Sequence, residues 1–540
     1  MLLKIRLTKF NIIFIFICLL LLSTVIHFFP IWSKGYPFSA CAENLVVAKN
    51  LYLTGKYSIK NSKDILLSST LIKTQGVPAS TENKLTPLIY AKIFKIFGFN
   101  PWLPTKISIL FYSLTGLILF ALAWRLFNLK LGLIFGLIFI FTPHISAYSV
   151  TGGSYEFALF FVSLALLFYF WNWKIHSKNW RTYFRLGLSS IFFGLGFLCR
   201  NAFLISFIPF VTYDFFKTKS LKRVIVLTIP FAILVGAVLI PDFLAGYPHK
   251  YLGKYIGQKA EMFGWDGHCF PDPYTYYFER EEYVNKVRDT ARGDVASHLL
   301  KYGHKLSFKS KVLIYIDSIK YYIKKFFRLI TFGGPIMIAF MFVGLFYLFK
   351  QRRNLFNLFT FWFIFWFFVL IYKKTSNYNH FLEVSFPLIL LSSLGIYQFF
   401  KYLNTTLSIS QNKKYLFISF LFITILAHLI IANKWAFHER YNTSKIDKVL
   451  SFVKAIEKEQ LSITDVVAIN IHPSFMEELN YFTDKNFIYF SSETIENLLD
   501  KNKLQYAFNK FGVTKIIGYD KDLTTRIIQT TEVEDIKLIP

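Results

Sequence analysis

Cysteine is scarce, with four in 540 residues. That is too few for a fold built on disulfides. Several motifs are missing altogether. There is no phosphate loop, no glycine-rich dinucleotide fingerprint, no Cys-x-x-Cys pair and no His-Glu-x-x-His helix. Their absence removes the motif-based case for a P-loop NTPase, a Rossmann enzyme or a zinc protein. Acid is also short. Asp and Glu number 32 against 61 Lys and Arg, which leaves a net charge of +29. Such an excess suggests a nucleic-acid partner unless it collects at the ends of apolar runs, where it orients a membrane protein.

Apolar sequence is what the chain has in abundance. It is 54% hydrophobic and 20% aromatic, with 64 Phe. Disorder is excluded by that content, and soluble domains average roughly 45–50% apolar. The apolar residues fall into runs. The first, from Phe10 to about Ile31, follows Lys4, Arg6 and Lys9. It is too long for a signal peptide, so it reads as a retained transmembrane helix or signal anchor. Others lie near 105–124, 131–149, 155–173, 186–216, 224–241, 327–349, 355–371, 381–400 and 415–433.

The run 186–216 is long enough for one tilted helix or two short ones. Lys174, Lys178, Arg181 and Arg185 precede it, and Lys217, Lys219, Lys222 and Arg223 follow it. Both clusters belong in the cytoplasm, so an even number of crossings separates them. Two short helices turning near Arg200 meet that condition. The fold class is then an all-α polytopic membrane protein of about 11 transmembrane helices, with a cytoplasmic N-terminus and an outer C-terminal domain. The segments assigned to the cytoplasm are 1–9, 125–130, 174–185, 217–223, 350–354 and 401–414. They carry nineteen Lys and Arg and no Asp or Glu. The charge is therefore an orientation code beside anionic membrane lipids, with no nucleic-acid partner implied.

The expected domains are a membrane domain over 1–433, with outer loops 32–104 and 242–325, and an extracytoplasmic α/β domain over 434–540. Residues 311–325 read as an interfacial amphipathic helix. The tail alternates strand and helix patterns: strands at Val466–Asn470, Phe487–Phe490 and Val513–Gly518, helices at Phe475–Phe482 and Thr494–Phe511. That alternation predicts a small α/β fold with a partly parallel sheet. Cys41 and Cys269 share the outer compartment, where a disulfide is permitted. Cys18 and Cys199 read as apolar packing.

Ionisable residues at membrane depth are costly and raise functional questions. Glu43 opens an amphipathic helix that ends near Thr54-Gly55. It is either a general base or a solvated first-turn Glu favoured by the helix dipole. Glu156 follows Thr151-Gly152-Gly153-Ser154-Tyr155 and has the same two readings. Lys84, near Glu82, is a point charge for a phosphate or an exposed loop residue. Arg200 is a bidentate phosphate ligand or a snorkelling side chain. His380 contacts a phosphate or caps a helix. Asp520-Lys521-Asp522 matches a metal–nucleotide-sugar motif only loosely and reads as a surface turn. The residues offer no compelling metal site and call for no cofactor.

In order and topology these features resemble the GT-C superfamily of integral-membrane glycosyltransferases. The similar members are bacterial lipid A aminoarabinose transferases, protein O-mannosyltransferases and their dolichyl-phosphate-mannose-dependent relatives. The resemblance covers roughly residues 10–400. Ala48, Asn50, Leu51, Gly55 and Tyr57 stand as in the family's first outer loop. Lys84-Leu85-Thr86-Pro87-Leu88-Ile89-Tyr90 with Phe97-Gly98, the stretch Gly187 to Arg200, and Asn379 to Gly395 match three further segments. Ala40, Cys41 and Ala42 stand where many members carry acid, which leaves Glu43 as a shifted substitute. His380 replaces a usual Arg. Some members use a divalent ion.

The resemblance implies a polyprenyl-phosphate-linked sugar donor and an acceptor that is lipid, glycan or protein. It implies the outer face of the cytoplasmic (inner) membrane as the place of transfer. Glu43 and Glu156 would be the catalytic carboxylates. Lys84, Arg200 and His380 would hold the donor phosphate. The competing readings are a multi-pass transporter or flippase, and an O-antigen polymerase or ligase. No internal repeat favours a transporter, and the outer α/β tail is not what a polymerase or ligase would require.

Overall fold

The computed structural model describes residues 9–34, 42–55, 57, 84–171, 180–244, parts of 316–328, 329–373, 378–408, 410–440, 443–458 and most of 461–535. In chain order the helices are α1 (Lys9–Lys34), α2 (Ala42–Thr54), α3 (Leu85–Phe97), α4 (Leu103–Leu126), α5 (Leu129–Phe141), α6 (Pro143–Tyr148), α7 (Tyr155–Phe170), α8 (Trp180–Cys199), α9 (Leu204–Thr218) and α10 (Leu221–Leu244). They continue with α11 (Leu329–Phe332), α12 (Gly334–Gln351), α13 (Arg353–Lys373), α14 (Ser385–Thr406), α15 (Gln411–Arg440) and α16 (Thr443–Lys458). The tail adds β1 (Val466–Ile469), β2 (Asn486–Tyr489), α17 (Ser492–Asp500), α18 (Leu504–Phe511), β3 (Lys515–Ile517), α19 (Lys521–Thr530) and β4 (Glu534–Asp535).

The chain divides into two compact units. The first comprises Met1–Pro37, Pro104–Val238 and Leu306–Tyr441. Each apolar run carries a helix here. Among the described residues, six helices, including Leu103–Leu126, Leu221–Ile240 and Gln411–Ala436, are long and apolar enough to cross a membrane. Shorter apolar helices lie within α1, α5, α7 and α13. Two runs are broken where the chemistry demands it. Thr142 is extended because Pro143 follows, so 131–149 becomes α5 and α6. The run 186–216 is indeed two helices, α8 and α9, joined by a short 3-10 turn at Asn201–Phe203. The run expected to begin at 381 starts instead with a 3-10 segment, Tyr378–Val384, before α14.

Aromatic rings fill this unit. Phe210 of α9 meets Trp362 of α13 edge-on at 5.2 Å, and Phe386 of α14 packs on both Trp362 and Phe135. Such pairs add directional preference to simple burial. One buried ion pair spans the α9–α10 turn. Arg223 donates to Asp214 at 2.8 and 2.7 Å, and the Tyr169 hydroxyl donates to the same carboxylate at 3.3 Å. A bidentate guanidinium suits such a site because it satisfies both carboxylate oxygens. Of the two cysteines described, Cys199 is buried as expected, whereas Cys18 lies exposed on α1.

The second unit includes Phe38–Leu103 and Asn442–Pro540. Its sheet has the order β2-β1-β3-β4, and every pairing is parallel. The expected sheet was only partly parallel. Helical crossovers between successive strands allow the fully parallel arrangement. β1 is buried along its whole length. Val466 and Ala468 enter a core with α17, α18 and α19, while Val467 and Ile469 enter a second core with α16. Burial on both faces is the mark of a covered parallel sheet. The helix expected over 494–511 is two helices, separated by a turn in which Asn502 has φ +53°. Asp520 is not in a loose turn. It caps α19, accepting from the Leu523 amide at 2.8 Å. α19 and β4 were not anticipated. Of the expected helix 475–482, residues 479, 481 and 482 are described and helical.

Candidate functional site

In the first unit the site grows from the turn before α7. Gly152 there has φ +57°, and a β-carbon on it would lie 2.9–3.1 Å from Pro104 and the Thr105 nitrogen. Only glycine fits both the left-handed conformation and that approach. The turn delivers Ser154, Tyr155 and Glu156 to the start of α7, and all three are buried. Glu156 lies in the first turn, where the helix dipole favours its negative charge.

Arg200 arrives from the end of α8. Gly196, one turn earlier, allows α8 to approach α7 closely, because a β-carbon there would meet Val162 at 2.8 Å. The Arg200 guanidinium lies 3.8 Å from the centroid of the Tyr155 ring. Its Nη1 donates to the Ser154 hydroxyl at 3.1 Å. The ring face attracts the cation, and the hydroxyl fixes its plane. A cation is thereby placed at the entrance to a helix whose second residue is a fully buried carboxylate.

The 3-10 segment Tyr378–Val384 packs against α6, α7, the turn 201–203 and α9. His380 lies in this segment. Its side chain is outside the described residues. Two buried ionisable residues that the sequence reading did not select lie in these elements: His144 in α6 and Glu383 beside α14. His144 packs on Tyr148 and Phe381, and the Glu383 carbonyl accepts from Ser206 at 3.0 Å. The signal was present, since Glu383 opens an apolar run. Phe381 also lines an apolar cavity of about 240 Å³, with Tyr322, Phe326, Phe363, Trp366 and Leu391 among its walls.

In the second unit, Glu43 stands at the second residue of α2, with its side chain outside the described residues. Lys84 is half-buried and immediately precedes α3, and its carbonyl accepts from the Tyr57 hydroxyl at 3.3 Å. Lys49, which the sequence reading passed over, is buried in α2. Burial pushes the nearby Tyr481 phenol well above its ordinary range, so it remains a donor to the Pro101 carbonyl, 3.0 Å away. Cys41, Cys269 and Glu82 lie outside the described residues. Among the described residues, no group of three His, Cys, Asp or Glu is placed to hold a metal ion.

A family model described as dolichyl-phosphate-mannose-protein mannosyltransferase matches residues 84–242. That span begins at Lys84 and includes Glu156 and Arg200. No curated protein matches the sequence. Among solved structures, ArnT from Cupriavidus metallidurans bound to undecaprenyl phosphate is similar at 10% identity and a TM-score of 0.52. The match covers 98% of this chain and 90% of that one. The archaeal oligosaccharyltransferase AglB from Archaeoglobus fulgidus, in complex with an inhibitory peptide and a dolichol-phosphate, is similar at 11% identity and a TM-score of 0.53. That match covers 94% of this chain and 69% of that one. The expected membrane-embedded fold is thus borne out.

Proposed function

We propose that this chain, a polytopic membrane protein with the fold of the GT-C glycosyltransferases, moves a sugar from a polyprenyl-phosphate-linked donor to a lipid, glycan or protein acceptor. The single observation that carries the reading is the placement of Arg200. It stacks on Tyr155 and bonds Ser154 beside the buried Glu156, inside the span that the family model matches.

The chemistry follows from these groups. An acceptor O–H or N–H attacks the anomeric carbon, the bond from that carbon to the phosphate oxygen breaks, and polyprenyl phosphate leaves. Attack opposite the leaving group inverts the anomeric centre. Glu43 takes the acceptor proton. Glu156 positions acceptor or donor. Lys84, Arg200 and His380 stabilise the charge that develops on the leaving phosphate. The cavity lined by Phe381 is walled by hydrocarbon and aromatic rings, which suits part of a prenyl chain. No metal is invoked.

Orientation is part of the proposal. Nineteen basic and no acidic residues on one set of short connections assign those connections and the N-terminus to the cytoplasm. The tail then faces outward, in the cytoplasmic membrane of a bacterium-like envelope. Nucleotides are absent there, which is why an activated sugar must arrive on a lipid. A transporter or an O-antigen ligase draws no support from the similar structures.

The test is a transfer assay with purified protein and a panel of undecaprenyl-phosphate-linked sugars. Turnover of at least one donor, lost in Glu43→Gln while donor binding is retained, is expected. Full activity in Glu43→Gln removes the base role. Absence of turnover or binding across the panel removes the donor class.

A further inference from the structure

We propose that Lys49 is a positioning residue, through which the C-terminal α/β domain fixes the helix that carries Glu43. The inference rests on the reading of Glu43 as the base, and it adds a contact on which that base depends.

Lys49 is 4% exposed. Its Nζ donates to the Thr483 carbonyl at 2.6 Å and to the Tyr481 carbonyl at 3.2 Å. The same ammonium lies 5.2 Å from the centroid of the Phe99 ring. The carbonyls belong to a helical turn that ends here: the Thr483 amide and hydroxyl both return to the Leu479 carbonyl at 2.9 Å. Lys49 therefore places a cation at the end of this turn, where the last carbonyls need donors.

Around it the two chain segments interlock. Phe99 meets Tyr481 edge-on at 5.8 Å, Trp102 packs on Phe482 at 4.8 Å, and the Tyr481 hydroxyl bonds the Pro101 carbonyl. Packing alone would have been served by another apolar residue, since Leu45, Val46, Val47 and Ala48 are already buried on α2. A buried ammonium is costly unless it is fully hydrogen-bonded. What it adds is direction. Two bonds to fixed carbonyls set the rotation and the axial position of α2, which apolar contacts leave freer. α2 is a single helix of 13 residues. Glu43 stands six residues before Lys49, about 9 Å along the axis, so a shift at one end is transmitted to the other.

The experiment compares the full-length Lys49→Met, Lys49→Gln and Lys49→Arg proteins with the parent, using the undecaprenyl-phosphate sugar that the panel assay selects. Lys49→Met is expected to lower kcat tenfold or more while donor KM changes less than threefold. Lys49→Arg, which keeps the charge and the donors, is expected to restore most of kcat, and Lys49→Gln to fall between. Amide hydrogen exchange, which needs no donor, is expected to speed up in residues 44–54 of Lys49→Met and to stay unchanged in α4 and α12. Should Lys49→Met fail to fold, the Arg and Gln variants carry the same comparison. Equal kcat in all variants that fold, or parallel change of kcat and KM with no rescue by Arg, overturns the proposal. Failure of the underlying reading looks different. Full activity in Glu43→Gln alongside lost kcat in Lys49→Met removes the base and leaves the coupling.

Discussion

The guanidinium of Arg200 sits 3.8 Å from the centroid of the Tyr155 ring and bonds the neighbouring Ser154 hydroxyl. Stacking and hydrogen bonding hold a planar cation in a fixed orientation. A lysine at the same point would keep the charge and lose the plane.

Arg200→Lys is therefore expected to behave as a loss of function. A hydrogen bond to a charged group contributes roughly 1.5–3 kcal/mol, which corresponds to about a tenfold or greater fall in kcat/KM. Steady-state transfer kinetics measure it. Parental kcat/KM in Arg200→Lys would show that the donor phosphate does not require the planar fork of the guanidinium.

Glu156→Gln preserves size and most hydrogen-bonding capacity while removing charge. At a fully buried position the fold should survive it. If the carboxylate positions a reactant or handles a proton, turnover falls by about a hundredfold with melting temperature unchanged. Retained turnover would make Glu156 a dipole-stabilised helix residue and nothing more.

Gly152→Ala attacks the turn that presents Ser154, Tyr155 and Glu156. It forces a side chain into φ +57° and onto Pro104. Left-handed strain of this kind costs about 1–3 kcal/mol, before the clash is counted. Thermal denaturation in detergent should fall, and transfer with it. A parental melting curve would mean that the turn can readjust.

The Asp214–Arg223 pair lies apart from the chemistry and allows a test of stability by itself. Removing one member strands a buried charge, at about 3–5 kcal/mol. Asp214→Leu alone should destabilise strongly. Asp214→Leu combined with Arg223→Met should recover much of the loss, because no charge then remains unpaired. Melting curves of the two singles and the double decide it. Simple additivity would mean that the two side chains act independently.

Orientation can be read with a membrane-impermeant thiol reagent in intact cells. Tyr506 is exposed in the tail, and Tyr506→Cys should be labelled above the background of the parent chain. Ser220→Cys, between α9 and α10, should be labelled only after permeabilisation. The reverse pattern would invert the proposed topology.

Sequence by itself determined the helices of the membrane unit, the break near Arg200 and the first three strands of the tail. The reason is local. Apolar runs, prolines and basic clusters act within about 20 residues, the length of one membrane crossing. Tertiary structure alone decided the rest. The sheet became wholly parallel. Glu383 and His144 became buried, and Lys49 found its carbonyls more than four hundred residues away. Those outcomes depend on partners distant in the chain, for which neither spacing nor composition leaves a mark. A lysine in an amphipathic helix reads as solvated until the fold buries it.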